Sequence, residues 1–477
     1  SDILHYITKD NTIISNADRK ELRDKEKKKK EEKIKEDFPE EASFTTLPVS
    51  IDTQATLRVK VTGGGLNVTV EKQITMLAQS PMGFDAAIIG NDKLQVLGEQ
   101  PKVSSADLTG NGFNDIVVIG DGKISLLTHK GQSSDTVTDD YNLSTQINTA
   151  AVVMDLQYGD INNDGLSDMF VISGSTRQNL SWLINAPDNS AFVQENPFVF
   201  TGNVSSISAQ LADLDGDGDL DVAVTYVDLD NSNFVALGWF EQTSVGGFAS
   251  LAVIDPVVDN YTTSQSYLTV SDFNADGIQD IIVASGNGDD NRPVVQYINA
   301  GQAKSFSKTT AFYLTGGHVF ASYQTADIQA ADLNNDGLTD LISWQKGYFF
   351  GISSESNYHI NQGDGTFKSF SLSSFRTSSV NLMSADIDGD GDNDIIHGNN
   401  GSVWYCDIGC GRGATVRAGE IFWQENVAGI IESDKKVLVN NDFGAAMTLV
   451  DVDNDGDLDV VNAEVGNGLW IIQNSLK

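Results

Sequence analysis

Short runs of β-branched and other apolar residues recur along the chain, and each run starts directly after an Asp. Examples are Asp115-Ile-Val-Val-Ile, Asp221-Val-Ala-Val, Asp280-Ile-Ile-Val and Asp459-Val-Val. Runs of this length and composition, preceded by turns rich in Asp, Asn and Gly, predict β-strands. The polar segment before each run is itself repeated, so we predict one strand–loop–strand unit used many times.

The repeated polar segment is nine residues long. It has Asp at position 1, oxygen-bearing residues at positions 3 and 5, Gly at position 6 and Asp at position 9. The copies are spaced by 53 to 65 residues, and they begin at Asp107, Asp160, Asp213, Asp272, Asp332, Asp386 and Asp451. A period near fifty residues is typical of a propeller or a solenoid.

The alternating oxygens predict a calcium loop. Oxygen ligands at positions 1, 3 and 5, with Gly at 6, suit a hard cation, and Gly allows the positive φ that folds them inward. Position 7 would add a backbone carbonyl, and position 9 would close the cage. The alternative is that Asp- and Gly-rich turns merely join strands. The predicted ligands, loop by loop, are Asp107, Thr109, Asn111, Phe113 and Asp115; Asp160, Asn162, Asp164, Leu166 and Asp168; Asp213, Asp215, Asp217, Asp219 and Asp221; Asp272, Asn274, Asp276, Ile278 and Asp280; Asp332, Asn334, Asp336, Leu338 and Asp340; Asp386, Asp388, Asp390, Asp392 and Asp394; Asp451, Asp453, Asp455, Asp457 and Asp459.

The predicted sites differ in charge. Positions 1, 3, 5 and 9 are all carboxylates in the loops that open at Asp213, Asp386 and Asp451. One Asn replaces a carboxylate in the loops at Asp160, Asp272 and Asp332, and the Asp107 loop has only two carboxylates. Because ligand charge tunes calcium affinity, we expect up to seven structural Ca²⁺ ions, with the Asp107 loop binding most weakly.

The remainder of each unit predicts a blade of four strands, as in an all-β propeller. Trp182, Trp239, Trp404 and Trp470 fall at similar places in their units, so we interpret them as core. A degenerate unit at 72–99 precedes the seven intact repeats, which favours eight blades over seven. A strand within 49–62 would complete the last blade and remove its open edge.

Residues 1–47 form a charged N-terminal arm, and the predicted propeller domain covers 48–477. The segment 17–38 is rich in Lys and Glu, which are strong helix formers. The arm is either helical or a solvated, disordered tail. If helical, it could attach the chain to a larger assembly.

The net charge of −37 argues against nucleic acid and against electrostatic binding to an anionic membrane. No run of 18 apolar residues occurs, so we predict no membrane insertion. The first residue is Ser, which fits a removed signal peptide or a trimmed chain. Cys406 and Cys410 are either a local disulfide or two free thiols. Six glycosylation sequons matter only in a eukaryotic secretory protein: Asn67, Asn142, Asn179, Asn203, Asn260 and Asn400.

The Asp-x-[Asp/Asn/Thr]-x-[Asp/Asn]-Gly-x-x-Asp repeat resembles the FG-GAP/VCBS repeats, the calcium-loop propellers of integrin α-subunit heads. The resemblance covers about residues 70–477. It implies structural calcium in the loops and ligands that engage the propeller faces. Only the metal ligands carry over residue by residue. This chain has seven loops where integrin heads have fewer, and it adds the charged arm.

Three functions are compatible with these features. The first is a secreted or cell-surface recognition and adhesion module, extracellular or periplasmic, that binds protein or glycan. The second is a structural subunit attached through residues 1–47. The third is a carbohydrate-active enzyme such as a polysaccharide lyase. The five scattered His form no catalytic motif, so we name no catalytic residue and expect no enzyme. Segments 348–350 and 405–418 interrupt the blade pattern and are candidate binding insertions.

Overall fold

The structure is a computed structural model, and its described residues are 53–63, 66–76, 84–89, 101–120, 122–131, 140–149, 151–186, 191–259, 265–286, 292–301, 305–314, 323–348, 352–375, 380–399, 402–405, 414–417, 420–440, 446–464 and 468–474. The predicted arm, 1–47, and both cysteines lie outside these residues, so their predicted states remain predictions. The chain divides into two compact units, Ser1–Phe84 with Asn474–Lys477, and Asp85–Gln473. In the first unit, Thr53–Gly63 pairs antiparallel with Leu66–Met76.

The second unit is built from four-stranded sheets, which are the blades of a propeller. Blade 1 contains Lys102–Ala106, Asp115–Gly120, Lys123–His129 and Tyr141–Asn148. Blade 2 contains Val153–Gly159, Asp168–Ser173, Asn179–Asn185 and Phe192–Glu195. Blade 3 contains Val204–Ala212, Asp221–Asp228, Phe234–Phe240 and Ala252–Asp255, with a small hairpin of Gln242–Ser244 and Gly247–Phe248. Blade 4 contains Gln265–Ser271, Asp280–Gly286, Arg292–Asn299 and Phe306–Leu314.

The remaining blades follow the same order. Blade 5 contains Tyr323–Ala331, Asp340–Tyr348, Ile352–Asn361 and Phe367–Phe375. Blade 6 contains Val380–Ala385, Asp394–Asn399, Glu420–Val427 and Ile430–Asn440. Blade 7 contains Met447–Val450, Asp459–Glu464, Gly468–Asn474 and Phe84–Ile89. Within blades 1 to 6, neighbouring strands pair antiparallel.

The propeller therefore has seven blades, and the preference for eight is corrected. The residues taken as a degenerate eighth unit supply Phe84–Ile89, which pairs with the third strand of blade 7. The expected closing strand within 49–62 is also corrected, because Thr53–Gly63 pairs in the separate hairpin. Closing the last blade with a strand from before blade 1 leaves no incomplete sheet in the ring.

Contacts between the first strands close the ring. The first strand of blade 1 contacts the first strands of blades 2 and 7, and that of blade 3 contacts those of blades 2 and 4. Blades 4 and 5, and blades 6 and 7, also meet through their first strands. The first strand of blade 6 contacts the second strand of blade 5. The first strands are therefore the innermost strands of the propeller.

The apolar core lies between neighbouring blades. Blades 1 and 2 share one buried cluster, blades 2 and 3 a second, and blades 3 and 4 a third. The second strands are buried on both faces, for example Asp168–Ser173 along its whole length. This explains the continuous β-branched runs in the sequence, because a strand covered on both sides has no solvent face for alternating polar residues.

Blade 6 carries an insertion between its second and third strands. A hairpin of Ser402–Tyr405 and Ala414–Arg417 occupies this place. Trp182 and Trp239 lie in third strands and are at most 2% exposed, as predicted for core residues. Trp404 lies in the inserted hairpin, and the third strand of blade 6 carries Trp423 instead. The strand position assigned to Trp404 was therefore wrong, because the insertion displaces the third strand along the sequence.

Candidate metal loops and an uncharged cavity

Each acidic repeat connects the first and second strands of one blade. We number these acidic loops with their blades, as loop 1 (107–115), loop 2 (160–168), loop 3 (213–221), loop 4 (272–280), loop 5 (332–340), loop 6 (386–394) and loop 7 (451–459). The predicted strand–loop–strand unit is confirmed. Since every loop joins the same ends of equivalent strands, all seven lie at the same end of the propeller.

The opening Asp folds each loop around its own carboxylate. In loop 3, Asp213 Oδ1 accepts hydrogen bonds from the backbone N–H of Gly216 at 2.7 Å and Asp217 at 3.2 Å. Its Oδ2 accepts from the N–H of Gly218 at 3.0 Å. The bond from the position 6 Gly recurs in all seven loops at 2.7 to 3.0 Å. The loops therefore share one geometry despite their different sequences.

Two positions in every loop require a left-handed backbone. Gly at position 6 has φ between 83° and 101° in all seven loops. Position 4, which the sequence analysis did not single out, has φ between 54° and 77°. It holds Gly or Asn in six loops and Ala275 in loop 4. Gly and Asn tolerate this conformation, whereas Ala is strained there, so the Gly/Asn preference at position 4 was a readable signal.

We predict that Ala275→Gly stabilises the protein by about 0.5–1 kcal/mol. Relief of the left-handed strain, roughly 1–2 kcal/mol, exceeds the added freedom of Gly in the unfolded chain, about 0.4–1 kcal/mol. Calorimetry or denaturant unfolding at saturating calcium measures the change. The control is Ala191→Gly at an exposed position without positive φ, which should lose stability slightly. Equal effects of both substitutions would contradict the strain.

The closing Asp at position 9 is completely buried in every loop. One of its oxygens accepts the N–H of position 2, at 2.8 to 3.3 Å. In blades 1 to 6 the other oxygen accepts an N–H from the end of the third strand, or in blade 3 from Gln242 just after that strand, at 2.7 to 2.8 Å. Burial raises the pKa of Asp221 and Asp394 to about 7, and that of Asp280 to about 6. Burial leaves the ionised form of these carboxylates poorly solvated, so a bound cation would stabilise that form.

The residue at position 2 anchors each loop in the core. The seven side chains are apolar and at most 1% exposed: Leu108, Ile161, Leu214, Phe273, Leu333, Ile387 and Val452. Because the loop is pinned at position 2 and at position 9, its polar residues have little freedom to move apart. An apolar residue occupies position 2 of every repeat in the sequence, but it was not predicted to be an anchor.

The most acidic loops bring their carboxylates closest together. In loops 3, 6 and 7, carboxylate oxygens of positions 1, 3 and 9 lie within 4.8 Å of one another. These are the three loops predicted to carry the most ligand charge. Among the described residues, such clusters could hold a metal ion, and an all-oxygen donor set fits a hard cation. The predicted order of affinities remains a prediction.

In the less acidic loops, amides occupy part of the site. The Asn at position 3 of loops 2, 4 and 5 donates its side-chain N–H to the Asp at position 5, at 2.9 to 3.1 Å. In loop 1, the Asn111 side chain donates to the carbonyl of His129 at 2.9 Å. Position 5 accepts the N–H of position 7 in all seven loops, at 2.8 to 3.2 Å. In the less acidic loops, the side-chain amide bonds therefore stabilise the loop conformation, and fewer carboxylates repel one another there.

One acidic group beside loop 6 was missed by the sequence analysis. Glu425, on the third strand of blade 6, places a carboxylate oxygen within 4.8 Å of those of Asp388 and Asp390. It also forms an ion pair with Lys436. Glu425 lies 31 residues beyond loop 6 in the sequence, so local spacing gave no signal for it.

A chain of buried amides connects successive loops. Its members are at most 2% exposed and lie at the ends of the third strands of blades 2, 4, 5 and 6 or, in blade 3, two residues beyond that strand; they are Asn185, Gln242, Asn299, Asn361 and Asn426. The backbone N–H of each donates to the closing Asp of its own loop. Its side-chain amide donates to the position 2 carbonyl of the preceding blade's loop, at 2.5 to 3.3 Å. We call this set the amide chain.

A cavity of about 590 Å³ opens at the other end of blade 2. It lies between the segment that enters the blade, near Val153, and the segment that leaves it, 196–204. The end of the second strand (Ser173) and the start of the third (Asn179) also line it. Loop 2 joins the opposite strand ends, so the cavity lies at the end of the blade away from the acidic loops.

The lining of this cavity is uncharged. One residue in five of the chain is charged, yet none of the described residues that line the cavity carries an ionisable side chain. Polar groups come mainly from amides, including Asn179, Gln194 and Asn196, and the apolar part includes Phe198 and Phe200. Val199 at its edge is 68% exposed. This surface suits a neutral ligand that has both hydroxyl and apolar faces.

The fold and the loops define a seven-bladed β-propeller with an acidic loop in every blade. A protein-family model described as FG-GAP-like repeat matches residues 107–171, 160–224, 272–343 and 332–397, together more than half of the chain. The chain belongs to this family. None of the curated proteins compared matches the chain significantly. Its described part contains no helix with the length and apolar character needed to cross a membrane.

Two solved structures resemble the chain at low similarity. One is an Agrocybe aegerita lectin that recognises non-reducing terminal N-acetylglucosamine, with 18% identity, 72% of this chain and 81% of that chain covered, and a TM-score of 0.47. The other is described as NanB plus Optactamide, with 11% identity, coverage of 83% and 70%, and a TM-score of 0.37. Similarities this low do not bear on ligand or activity.

Proposed function

We propose that this protein is a secreted or cell-surface recognition module, and that its seven acidic loops bind structural calcium. The observation that supports it best is the separation of two surfaces. The acidic loops occupy one end of the propeller and an uncharged cavity lies at the other end of blade 2. The carboxylates at the loop end thus serve the fold, while the cavity end is free to bind a partner.

Calcium is the cation that this donor set favours. The predicted side-chain ligands are carboxylate, amide and hydroxyl oxygens, without a sulfur or an imidazole. Hard divalent ions prefer such oxygens, and calcium accepts the flexible geometry of a loop of this kind. Extracellular modules bind calcium at about 10⁻⁴–10⁻³ M. We propose affinities in that range, which would keep the loops filled in an extracellular, cell-surface or periplasmic location.

The ligand that we propose for the cavity is a neutral glycan. Amide side chains both donate and accept hydrogen bonds, which matches the hydroxyl groups of a sugar, and the apolar residues of the lining can contact its C–H face. A volume of about 590 Å³ lies within the usual range of small-molecule sites. The absence of ionisable lining residues disfavours acidic sugars, because a buried charge without a partner is costly.

We predict that neutral methyl glycosides bind the calcium-loaded protein and that Asn179→Ala with Asn196→Ala weakens the binding at least about fivefold. Each lost hydrogen bond is worth about 0.5–1.5 kcal/mol, and about 1.4 kcal/mol corresponds to tenfold. Calorimetric titration with the methyl glycosides of glucose, galactose, mannose and N-acetylglucosamine measures the affinity. Asn179 and Asn196 are exposed, so the fold should be retained.

Asn231→Ala is the matched control for this titration. Asn231 is an exposed amide on a turn of blade 3 that does not line the cavity, so its removal should leave the affinity unchanged. Methyl glucuronide tests the preference for neutral sugars. Binding of the glucuronide alone, or equal binding by the double variant and the parent, would contradict the proposed site.

A further inference from the structure

We propose that the amide chain couples the acidic loops, so that calcium enters neighbouring loops cooperatively and not independently in order of ligand charge. This inference rests on the proposed calcium binding. It assigns Asn185, Gln242, Asn299, Asn361 and Asn426 as positioning residues that belong to no loop but are shared between two.

The junction between blades 3 and 4 shows how one amide serves two loops. The backbone N–H of Asn299 donates to Asp280 Oδ1 at 2.7 Å. Its side-chain Nδ2 donates to the carbonyls of Gln279 at 3.0 Å and Leu214 at 2.7 Å. Leu214 in turn donates its N–H to Asp221 Oδ2 at 3.0 Å. A single buried side chain therefore lies between the closing carboxylates of loops 3 and 4.

The same arrangement repeats through six blades without a gap. Each closing Asp from Asp115 to Asp394 accepts a hydrogen bond from the position 2 N–H of its own loop. The position 2 carbonyl accepts a hydrogen bond from the side-chain amide of the next blade. The backbone N–H of that amide residue then donates to the closing Asp of its own blade. The closing Asp residues are completely buried and the amides are nearly so. Displaced groups would lose these bonds, and a buried unmet donor or acceptor costs about 1–3 kcal/mol.

The links differ in strength, which makes the coupling uneven. Gln242, between blades 2 and 3, contacts the preceding carbonyl at 3.3 Å. Loops 5 and 6 are joined further, because Asn335 Nδ2 donates to Asp392 Oδ1 at 2.6 Å and Asn393 Nδ2 donates to the Asp332 carbonyl at 3.0 Å. We therefore expect the tightest coupling between loops 5 and 6 and the weakest between loops 2 and 3.

The physical basis of the coupling is shared ordering. A loop without its ion holds several carboxylates that repel one another, and this repulsion weakens the hydrogen bonds that hold the closing Asp and the position 2 peptide. Binding an ion fixes the closing Asp, the position 2 peptide and the amide that bonds to it. The neighbouring loop then has less disorder to lose when its own ion binds, which produces positive cooperativity. Couplings of this kind change affinity roughly fivefold to 150-fold.

The experiment is a double-mutant cycle on the full chain. Asp213→Asn with Asp215→Asn removes the calcium site of loop 3. Asn299→Leu removes the side-chain hydrogen bond that links loops 3 and 4. Calcium calorimetry, with bound ions counted by native mass spectrometry, gives the affinity of the remaining sites. We expect the loop 3 variant to lose one ion and to weaken another site at least about fivefold. When Asn299→Leu is also present, the loop 3 substitutions should no longer weaken the affinity of another site.

Two further variants keep the test decisive. Asn299→Gln retains an amide, as Gln242 does naturally, and should preserve the coupling even if Asn299→Leu fails to fold. Gln362→Ala removes an exposed amide outside the amide chain and should change nothing. Independent sites in the parent, or the same loss of affinity with and without Asn299, would overturn the coupling while leaving calcium binding intact. No bound calcium at all would instead overturn the proposed function.

Discussion

Removal of calcium is expected to lower the melting temperature of this protein by more than about 10 °C. At about a tenfold excess over Kd, which millimolar calcium provides, each filled loop contributes about 1.4 kcal/mol of stability, and 1 kcal/mol shifts the melting temperature by about 2–4 °C in a domain of 150–250 residues. Several loops acting together therefore exceed the effect of most single substitutions. Calorimetry in millimolar calcium and in excess chelator measures the difference.

The physical reason is the charge of the loop end. The chain carries 67 acidic and 30 basic residues, and in loops 3, 6 and 7 carboxylates of three positions converge within 4.8 Å. Without cations these groups repel one another, and ionisation of a closing Asp is costly in its buried place, which destabilises the compact state. Re-addition of calcium should restore the melting temperature, whereas magnesium should restore less of it because it demands a stricter octahedral geometry.

Two substitutions distinguish the effect of calcium binding in the loops from a general effect of removing negative charge. Asp213→Asn should reduce the calcium-dependent part of the melting shift, whereas Asp434→Asn, at an exposed position on the fourth strand of blade 6, should not. An unchanged melt in excess chelator, together with metal analysis that finds no bound ion, would remove the proposed calcium role.

Acidification from pH 7 to pH 5 is expected to destabilise the calcium-loaded protein through two buried histidines by about 4 kcal/mol. Desolvation lowers the pKa of both His359 and His397 to about 3. The unfolded value is about 6.5, so the unfolded state takes up protons first. The stability that neutral His supplies is present above about pH 6.5 and is lost as the pH falls towards 3. Each histidine contributes about 2 kcal/mol between pH 7 and pH 5.

Burial keeps His359 neutral, and several contacts hold its neutral ring in place. Its Nε2 lies 2.9 Å from Ser343 Oγ, its Nδ1 lies 2.8 Å from Ser369 Oγ, and its ring stacks on Phe312. His397 stacks on Phe422. Denaturant unfolding across this pH range in saturating calcium measures the slope. The double variant His359→Gln with His397→Gln should be less stable at pH 7 but flatter with pH, and a slope equal to that of the parent would contradict the prediction.

The sequence by itself determined the local unit. The acidic loop, its flanking strands and the number of repeats can be predicted from a motif of nine consecutive residues. A cation loop needs this fixed spacing because its oxygen ligands must converge on one ion. Asp213, Asp215 and Asp221 illustrate this, since the carboxylates predicted from alternation do converge. Position 4 was equally local, and its Gly/Asn pattern could have been read as well.

Only the tertiary structure decided how the repeat units close into a ring and which residues link neighbouring loops. The strand Phe84–Ile89 completes the last blade nearly 380 residues away from its partner, which fixes seven blades instead of eight. The amide chain joins residues 77 to 93 positions apart, and the uncharged cavity is lined from two blades and their connections. Such contacts depend on which blades become neighbours when the ring closes, and no local pattern of residues encodes that.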